Sequence, residues 1–238
     1  MYLQAIDDGT VSDLVIEITR KCNMKCGHCL RGDAQKDILD LKVIKQFILD
    51  NDIEDIGRLT ITGGEPLLVP EKIEELTQML HFLKVNLGSF YIATNGSSFT
   101  IEALWAIARL NFHCDEPEMS EVEISNSKWH EKERERLNLP SPEVFEEGFH
   151  SEVFKETFPE LSDEIEATIG DMLDTVSISM DHRLYKQDAM ISEGRFEVFG
   201  SSPLETDDTD MIYINALGNI ILGTCDASYD SQDRLAIA

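Results

Sequence analysis

Two rhythms of apolar residues take turns along this chain. Short runs such as Leu14-Val15-Ile16-Glu17-Ile18, Leu59-Thr60-Ile61 and Phe90-Tyr91-Ile92 have the length and composition of strands. Between them, apolar residues return every three or four positions, as on one face of a helix. The pattern predicts a strand over 13–19, apolar enough to be buried on both faces. A helix carrying Ile38, Leu41, Ile44, Phe47 and Ile48 follows, then a strand over 58–62. The next helix carries Ile73, Leu76, Met79, Leu80 and Leu83, with Pro70 in its first turn, where a missing N–H costs nothing. A strand over 89–94, a helix over about 101–110 and a strand over 121–127 continue the alternation.

Beyond residue 130 the rhythm changes. Glu131-Lys132-Glu133-Arg134-Glu135-Arg136 reads as a solvated helix face. Pro140 and Pro142 break it, and Phe145, Phe149, Phe154 and Phe158 then stand among nine acidic residues between Glu143 and Glu166. A connection this long reads as an insert over 131–170, either a helical layer packed by its phenylalanines or a cover that receives a cationic substrate. Thr175 to Asp181 predicts a fifth strand of the series, with Asp181, His182 and Arg183 at its far end, and Arg195 to Phe199 a sixth. Met211-Ile212-Tyr213-Ile214-Asn215, a turn at Gly218-Asn219, and Ile220 to Asp226 read as a β-hairpin.

Strand and helix alternating about every 30 residues is the mark of parallel βαβ units. In such folds functional groups collect where the strands end. Cys22-Asn23-Met24-Lys25-Cys26-Gly27-His28-Cys29 follows the first strand, Gly63-Gly64-Glu65-Pro66 the second, and Thr94-Asn95-Gly96 the third. All three fall on one rim.

The chemistry on that rim is carried by thiols. Three cysteines within eight residues suit zinc, copper(I) or an iron–sulfur cluster. A closed zinc site needs four protein ligands, usually in separated pairs. A [4Fe–4S] cluster takes one thiolate per iron, so three cysteines would leave one iron open. From these residues alone, zinc and unrelated thiols stay open beside the cluster. The paired glycines Gly63 and Gly64 let a backbone approach closely or adopt positive φ, which a plain strand-to-helix turn also uses.

The Cys-x3-Cys-x2-Cys spacing, with Gly-Gly-Glu-Pro about 34 residues beyond Cys29, resembles the radical S-adenosylmethionine (SAM) superfamily. The resemblance implies a partial (β/α)6 TIM-like barrel with an acidic helical insert and a C-terminal β-hairpin. It implies one [4Fe–4S] cluster on Cys22, Cys26 and Cys29, with SAM chelating the open iron and cleaved to methionine and a 5′-deoxyadenosyl radical that takes hydrogen from a substrate. The residues it places beside SAM are Gly63, Gly64, Glu65 and Pro66, then Asn95, Ser125 and Asn126, with His28 inside the triplet. A reductant such as flavodoxin or ferredoxin is the implied electron donor. The hairpin resembles the start of the auxiliary-cluster extension in the peptide-modifying branch, and so points to a ribosomally made peptide or protein as substrate. Only Cys225 is present there, with Cys114 distant, so no complete second cluster is expected. Cys114 reads as packing, and Cys225 as packing or a substrate-side thiol. The rivals are a nucleotide- or sugar-modifying enzyme, an activase for a glycyl-radical enzyme, and a non-catalytic iron–sulfur module.

Composition adds bounds. At 238 residues, 42% of them hydrophobic, the chain can bury one large core, expected as 1–210 with a hairpin extension over 211–238. A net charge of −26 argues against a general nucleic-acid surface and against anionic membranes, and permits a basic partner. No apolar run approaches a membrane span and Met1 to Asp13 has no signal-peptide pattern, so the expected location is the cytoplasm, where clustered thiols stay reduced.

Overall fold

The computed structural model describes residues 6–27, 29, 31–145, 148–149, 151–160, 169–181 and 211–222. Its strands are β1 (Ile6–Asp7), β2 (Thr10–Thr19), β3 (Asp55–Gly63), β4 (Asn86–Thr94), β5 (Glu121–Ser125), β6 (Ser177–Asp181), β7 (Met211–Ile214) and β8 (Ile220–Leu222). The helices are α1 (Leu41–Asp50), α2 (Pro70–Leu83), α3 (Ile101–Phe112), α4 (Lys128–Leu137), α5 (Glu152–Thr157) and α6 (Gly170–Leu173). One sheet runs in the order β6-β5-β4-β3-β2-β7-β8, with β1 paired antiparallel to the start of β2. From β6 across to β7 every pairing is parallel, and β7 turns back into β8 antiparallel. This is the expected α/β half-barrel, and it is not closed.

The hairpin forms as its residues predict, with Gly218 at φ 86° in the turn. Its first strand also lies along β2, so β2 has parallel neighbours on both sides.

Strands β2 to β6 fall where the apolar runs predict them, within a few residues, while the short β1 was not predicted. Pro70 opens α2 at its first position. One expectation is corrected. Ile38 is not helical: it forms an isolated antiparallel bridge with Thr19, and the Leu39 N–H donates to the Ile18 carbonyl. The chain leaving the cysteine loop thus crosses the end of β2 before Asp40 caps α1 by accepting from the Lys42 N–H at 3.0 Å.

The sheet divides its residues by period two. Leu59, Ile61, Phe90, Ile92, Val122 and Ile124 are buried in one core with Ile44, Phe47, Ile73, Leu76, Leu80, Leu104 and Ile107 of the helices. The alternate residues Thr60, Thr62, Tyr91, Ala93, Glu121, Glu123 and Ser125 are half-buried. Register joins them into rows across the inner face: Tyr213, Val15, Thr60, Tyr91, Glu121 and Ser177 in one, Ala93, Glu123 and Ser179 in another. The neighbours β2 and β7 are buried on both faces, with Val15, Glu17 and Tyr213 lying inside.

Within 131–170 the phenylalanines are packing. Phe145 lies 4.6 Å from Phe99 and 6.0 Å from Phe158 between ring centres, and Phe154 lies 5.0 Å from Phe158. The charge run at 131–136 is not a solvated face throughout. Glu133 and Arg134 are buried, because α4 lies against the cysteine loop and meets its backbone. The predicted strand at Arg195 to Phe199, and His28, His182, Arg183 and Cys225, lie outside the described residues.

Candidate active site

The cysteine loop leaves β2 through a local irregularity: Glu17 pairs with Thr62 and Thr19 with Gly63, so two steps on β2 match one on β3. Such bulges re-aim a strand end. From there the loop is fastened by backbone bonds to the turn after β3. The Gly64 N–H donates to the Thr19 carbonyl and the Glu65 N–H to the Lys21 carbonyl, both at 2.7 Å. This zipper is why both glycines are needed. A Cβ on Gly63 would stand 2.3 Å from the Thr19 carbonyl oxygen, and one on Gly64 2.2 Å from that of Lys21. Gly63 also has φ 151°.

Glu65 is fully buried and joins this turn to the next strand end. Its Oε1 accepts from the Thr94 hydroxyl at 2.7 Å and from the Leu67 N–H at 3.0 Å, and its Oε2 accepts from the Asn95 N–H at 2.7 Å. Burial pushes its carboxyl up to about 6, against these hydrogen bonds, which favour the charged form. Pro66, buried, begins the short turn Pro66–Leu68 for which Glu65 is the cap.

Asn95 reaches the thiols. Its Nδ2 lies 3.7 Å from Cys22 Sγ and donates to Asn23 Oδ1 at 3.2 Å, while its Oδ1 accepts from the Ser97 N–H. The Thr94-Asn95-Gly96 turn therefore touches the cysteine loop and is not only a local bend. Ser125 sits half-buried at the end of β5 on the inner face. Asn126 turns its Nδ2 to Met180 Sδ at 3.8 Å, and its Oδ1 is buried without a partner.

The contacts of α4 were not foreseen. The Lys25 N–H donates to Glu133 Oε2 at 2.8 Å, and Arg136 Nη2 donates to the same oxygen at 2.6 Å and to the Asn23 carbonyl at 3.3 Å. A Cβ on Gly27 would stand 2.8 Å from the Trp129 ring. Trp129, Glu133 and Arg136 are spaced four and three apart, one face of a helix. That spacing was the available signal, hidden in an alternating charge run. Arg134, 3% exposed, donates from Nη2 to the Ser125 carbonyl at 3.1 Å. Its Nε and Nη1 are buried without partners. Buried polar atoms left so are few in a native fold and point to an unmet ligand. The guanidinium lies beside Gly96, whose Cβ would be 3.3 Å from Nη1, and it interacts favourably with the charges of Cys26 and Glu65.

The donors fit an iron–sulfur cluster. Cys22, Cys26 and Cys29 are free thiols, and beside burial the charge of Cys29 opposes ionisation of Cys22 and those of Cys22 and Cys29 oppose ionisation of Cys26. Burial is the first cause that pushes Cys22 up to about 11 and Cys26 to about 12, so both are protonated at neutral pH until a metal displaces the proton. Among the described residues no three His, Cys, Asp or Glu side chains converge on a single metal ion. A four-iron cluster takes each sulfur on a separate iron. Cys114 is half-buried, and its Sγ–H donates to the Leu110 carbonyl at 3.3 Å.

A parallel-stranded open barrel with a three-thiol loop at the carboxyl rim defines a class of redox-cofactor protein. The family description "Radical SAM superfamily" matches residues 16–141, more than half of the sequence, and the chain belongs to that superfamily of enzymes. Membership brings an iron–sulfur cluster and SAM as cofactors. A GTP 3′,8-cyclase of Mesorhizobium japonicum is 31% identical over 97 residues, which are 38% of this chain and 29% of that protein. The S-adenosylmethionine-dependent nucleotide dehydratase RSAD2 of Siniperca chuatsi is 33% identical over 90 residues, 37% of this chain and 25% of that protein. The matched part thus spans under a third of these curated relatives. Among solved structures, anSMEcpe with bound AdoMet and Cp18Cys peptide gives a TM-score of 0.43 at 16% identity, covering 72% of this chain and 42% of that one. Streptococcus suis SuiB bound to the precursor peptide SuiA gives 0.40 at 15% identity, covering 92% and 60%. No helix among the described residues is long and apolar enough to cross a membrane.

Proposed function

We propose that the chain carries one [4Fe–4S] cluster on Cys22, Cys26 and Cys29 and cleaves SAM reductively to abstract hydrogen from a basic peptide or protein segment. When bound, the cluster and SAM together supply the 5′-deoxyadenosyl radical, and a low-potential donor such as flavodoxin or ferredoxin supplies the electron. The observation that carries this is the convergence of two rim turns and α4 on the cysteine loop, with Arg134 Nε and Nη1 unpartnered beside it.

In this reading Gly63 and Gly64 hold the turn close enough to the loop for its backbone to receive the SAM ammonium. Glu65 acts through that turn, since both of its oxygens already accept within the protein. Arg134 takes the SAM carboxylate with its unpartnered N–H groups, and Ser125 and Asn126 flank the ribose. Asn95 donates toward Cys22, and such bonds to cluster sulfurs tune potential.

For the substrate, the open barrel presents Glu123 on its inner face, Glu121 being paired with Arg58 at 3.8 Å, and the whole chain carries −26. Both favour a cation and oppose a triphosphate. The nucleotide enzymes among the relatives supply the second reading. Anaerobic protein reconstituted with iron and sulfide, reduced and given SAM, should form 5′-deoxyadenosine and methionine. Failure to bind SAM and to cleave it would favour the non-catalytic cluster module. Deoxyadenosine formation stimulated by GTP or another nucleotide, and not by basic peptides, would replace the peptide reading with the nucleotide one. Stimulation only by a glycyl-radical partner would replace it with the activase.

A further inference from the structure

The cysteine loop has a third attachment that no rim motif explains. Glu17 is fully buried on the inner face of β2, five residues before Cys22. Its Oε2 lies 3.4 Å from Arg20 Nε, and its Oε1 lies 3.9 Å from Arg31 Nε. Arg20 stands two residues before the first cysteine of the loop and Arg31 two after the last. One carboxylate thus meets both ends of the loop. The same Oε2 accepts from the Ala216 N–H at 2.8 Å, across 199 residues of sequence, just where β7 enters its turn. Arg31 lies over the Tyr213 ring at 5.3 Å from its centre, on the same hairpin. Arg20 and Arg31 are buried as well, at 1% and 8% exposure. Arg20 is braced further by Gln35 Oε1 at 3.1 Å and by a backbone bond to the Asp37 carbonyl.

A buried charge is expensive to leave unpaired, so removing one partner of such a group disturbs the others strongly. Here the partners belong to two segments: the loop that would hold the cluster and the hairpin that extends the sheet. We infer that Glu17 is a positioning residue that clamps both ends of the cysteine loop and couples their order to the docking of the 211–222 hairpin. The hairpin then acts on the cluster loop through this carboxylate and the Tyr213 ring over which Arg31 lies, without touching the cysteines. This adds a role for the hairpin to the reading above and uses that reading only for what the loop carries.

The test is hydrogen exchange of the loop amides at residues 22–32 in the full chain, read both as isolated and after iron–sulfide reconstitution. Tyr213→Leu removes the ring beneath Arg31 from the far segment. It is expected to speed loop exchange about tenfold in the parent chain, and by less than about twofold in a Glu17→Ala background, because Arg31 is held over the ring by that carboxylate and leaves it when the carboxylate is gone. A merely structural role would make the two changes additive, and additive effects would overturn the proposal. So would loop exchange in folded Glu17→Ala equal to that of the parent. If Glu17→Ala does not fold, Glu17→Gln serves: it keeps an acceptor for Ala216 and removes the charge. In the reconstituted protein, Glu17→Gln should raise the cluster potential, by about 59 mV if the one-electron ratio shifts tenfold. An unchanged potential together with unchanged loop exchange would sink the clamp. Exchange is readable whether or not SAM is cleaved, so failure of the coupling and failure of the proposed function are separate results.

Discussion

The cysteine loop is held on two sides by different kinds of contact. On the β3 side the hold is backbone to backbone: Gly64 and Glu65 donate to Thr19 and Lys21, and the two glycines leave no room for a side chain. On the α4 side it is side chain to backbone: Glu133 receives the Lys25 N–H, Arg136 reaches the Asn23 carbonyl, and Trp129 covers Gly27. The first kind is rigid and tolerates no substitution, while the second has flexible ends that can shift. The difference orders the effects expected of mutation.

Gly64→Ala should do most. Its Cβ would meet backbone at 2.2 Å, which cannot yield as a side-chain tip can. A loss of more than about 3 kcal/mol is expected, seen as a lowered denaturation midpoint and iron content near zero after reconstitution. Parent-like iron loading would break the comparison at its strong side. Arg134→Ala comes next. It removes a buried cation from beside Cys26 and Glu65 and is expected to weaken SAM binding 10- to 100-fold, with iron content retained. Arg134→Lys, a point charge in place of a fork, should recover only part of this. Equal SAM affinity in all three would remove Arg134 from the site.

Glu65 sharpens the comparison through pH. Burial raises its carboxyl from the ordinary 4.5 to about 6, so folding favours the protonated form. Its contribution is full below the unfolded value and is lost as pH rises through 6. Between pH 4.5 and 7 the metal-free parent should lose about 2 kcal/mol relative to Glu65→Gln, in urea titrations at each pH. A flat difference would show that the hydrogen bonds to Thr94, Asn95 and Leu67 balance burial, and a gain on raising the pH that they outweigh it. Gly27→Ala is the mildest. The obstacle is the Trp129 ring, so the cost should be about 1 kcal/mol and should vanish when Trp129→Ala is added. Finally, the raised thiols of Cys22 and Cys26 require that iron loading near pH 7.5 release protons, measurable by an indicator dye in weak buffer.

These two sides were not equally legible. The strand ends, the three rim turns and Pro70 were readable because each rests on local spacing, which sequence carries directly. Ile38 was misplaced because its apolar side chain fits the helical period, while its backbone pairs with Thr19, a contact made across the cysteine loop. The polar inner face was written in the alternation of Glu121, Glu123 and Ser125, yet Thr60, Thr62 and Tyr91 hide it, since strands tolerate them on either face. Glu133 and Arg134 read as solvated because charge runs usually are. Their burial depends on backbone N–H and carbonyl groups that a distant loop brings to them, and no local pattern encodes those. Glu17 escaped notice for the same reason, as its hairpin partner lies 199 residues away.

The place of β7 beside β2 has one more consequence. A ten-residue strand with six consecutive buried positions, Leu14 to Thr19, would make an adhesive border if its flank were bare. Met211 to Ile214 seals that flank. A chain cut before residue 211 should therefore self-associate through β2 and collect in inclusion bodies, whatever becomes of its chemistry.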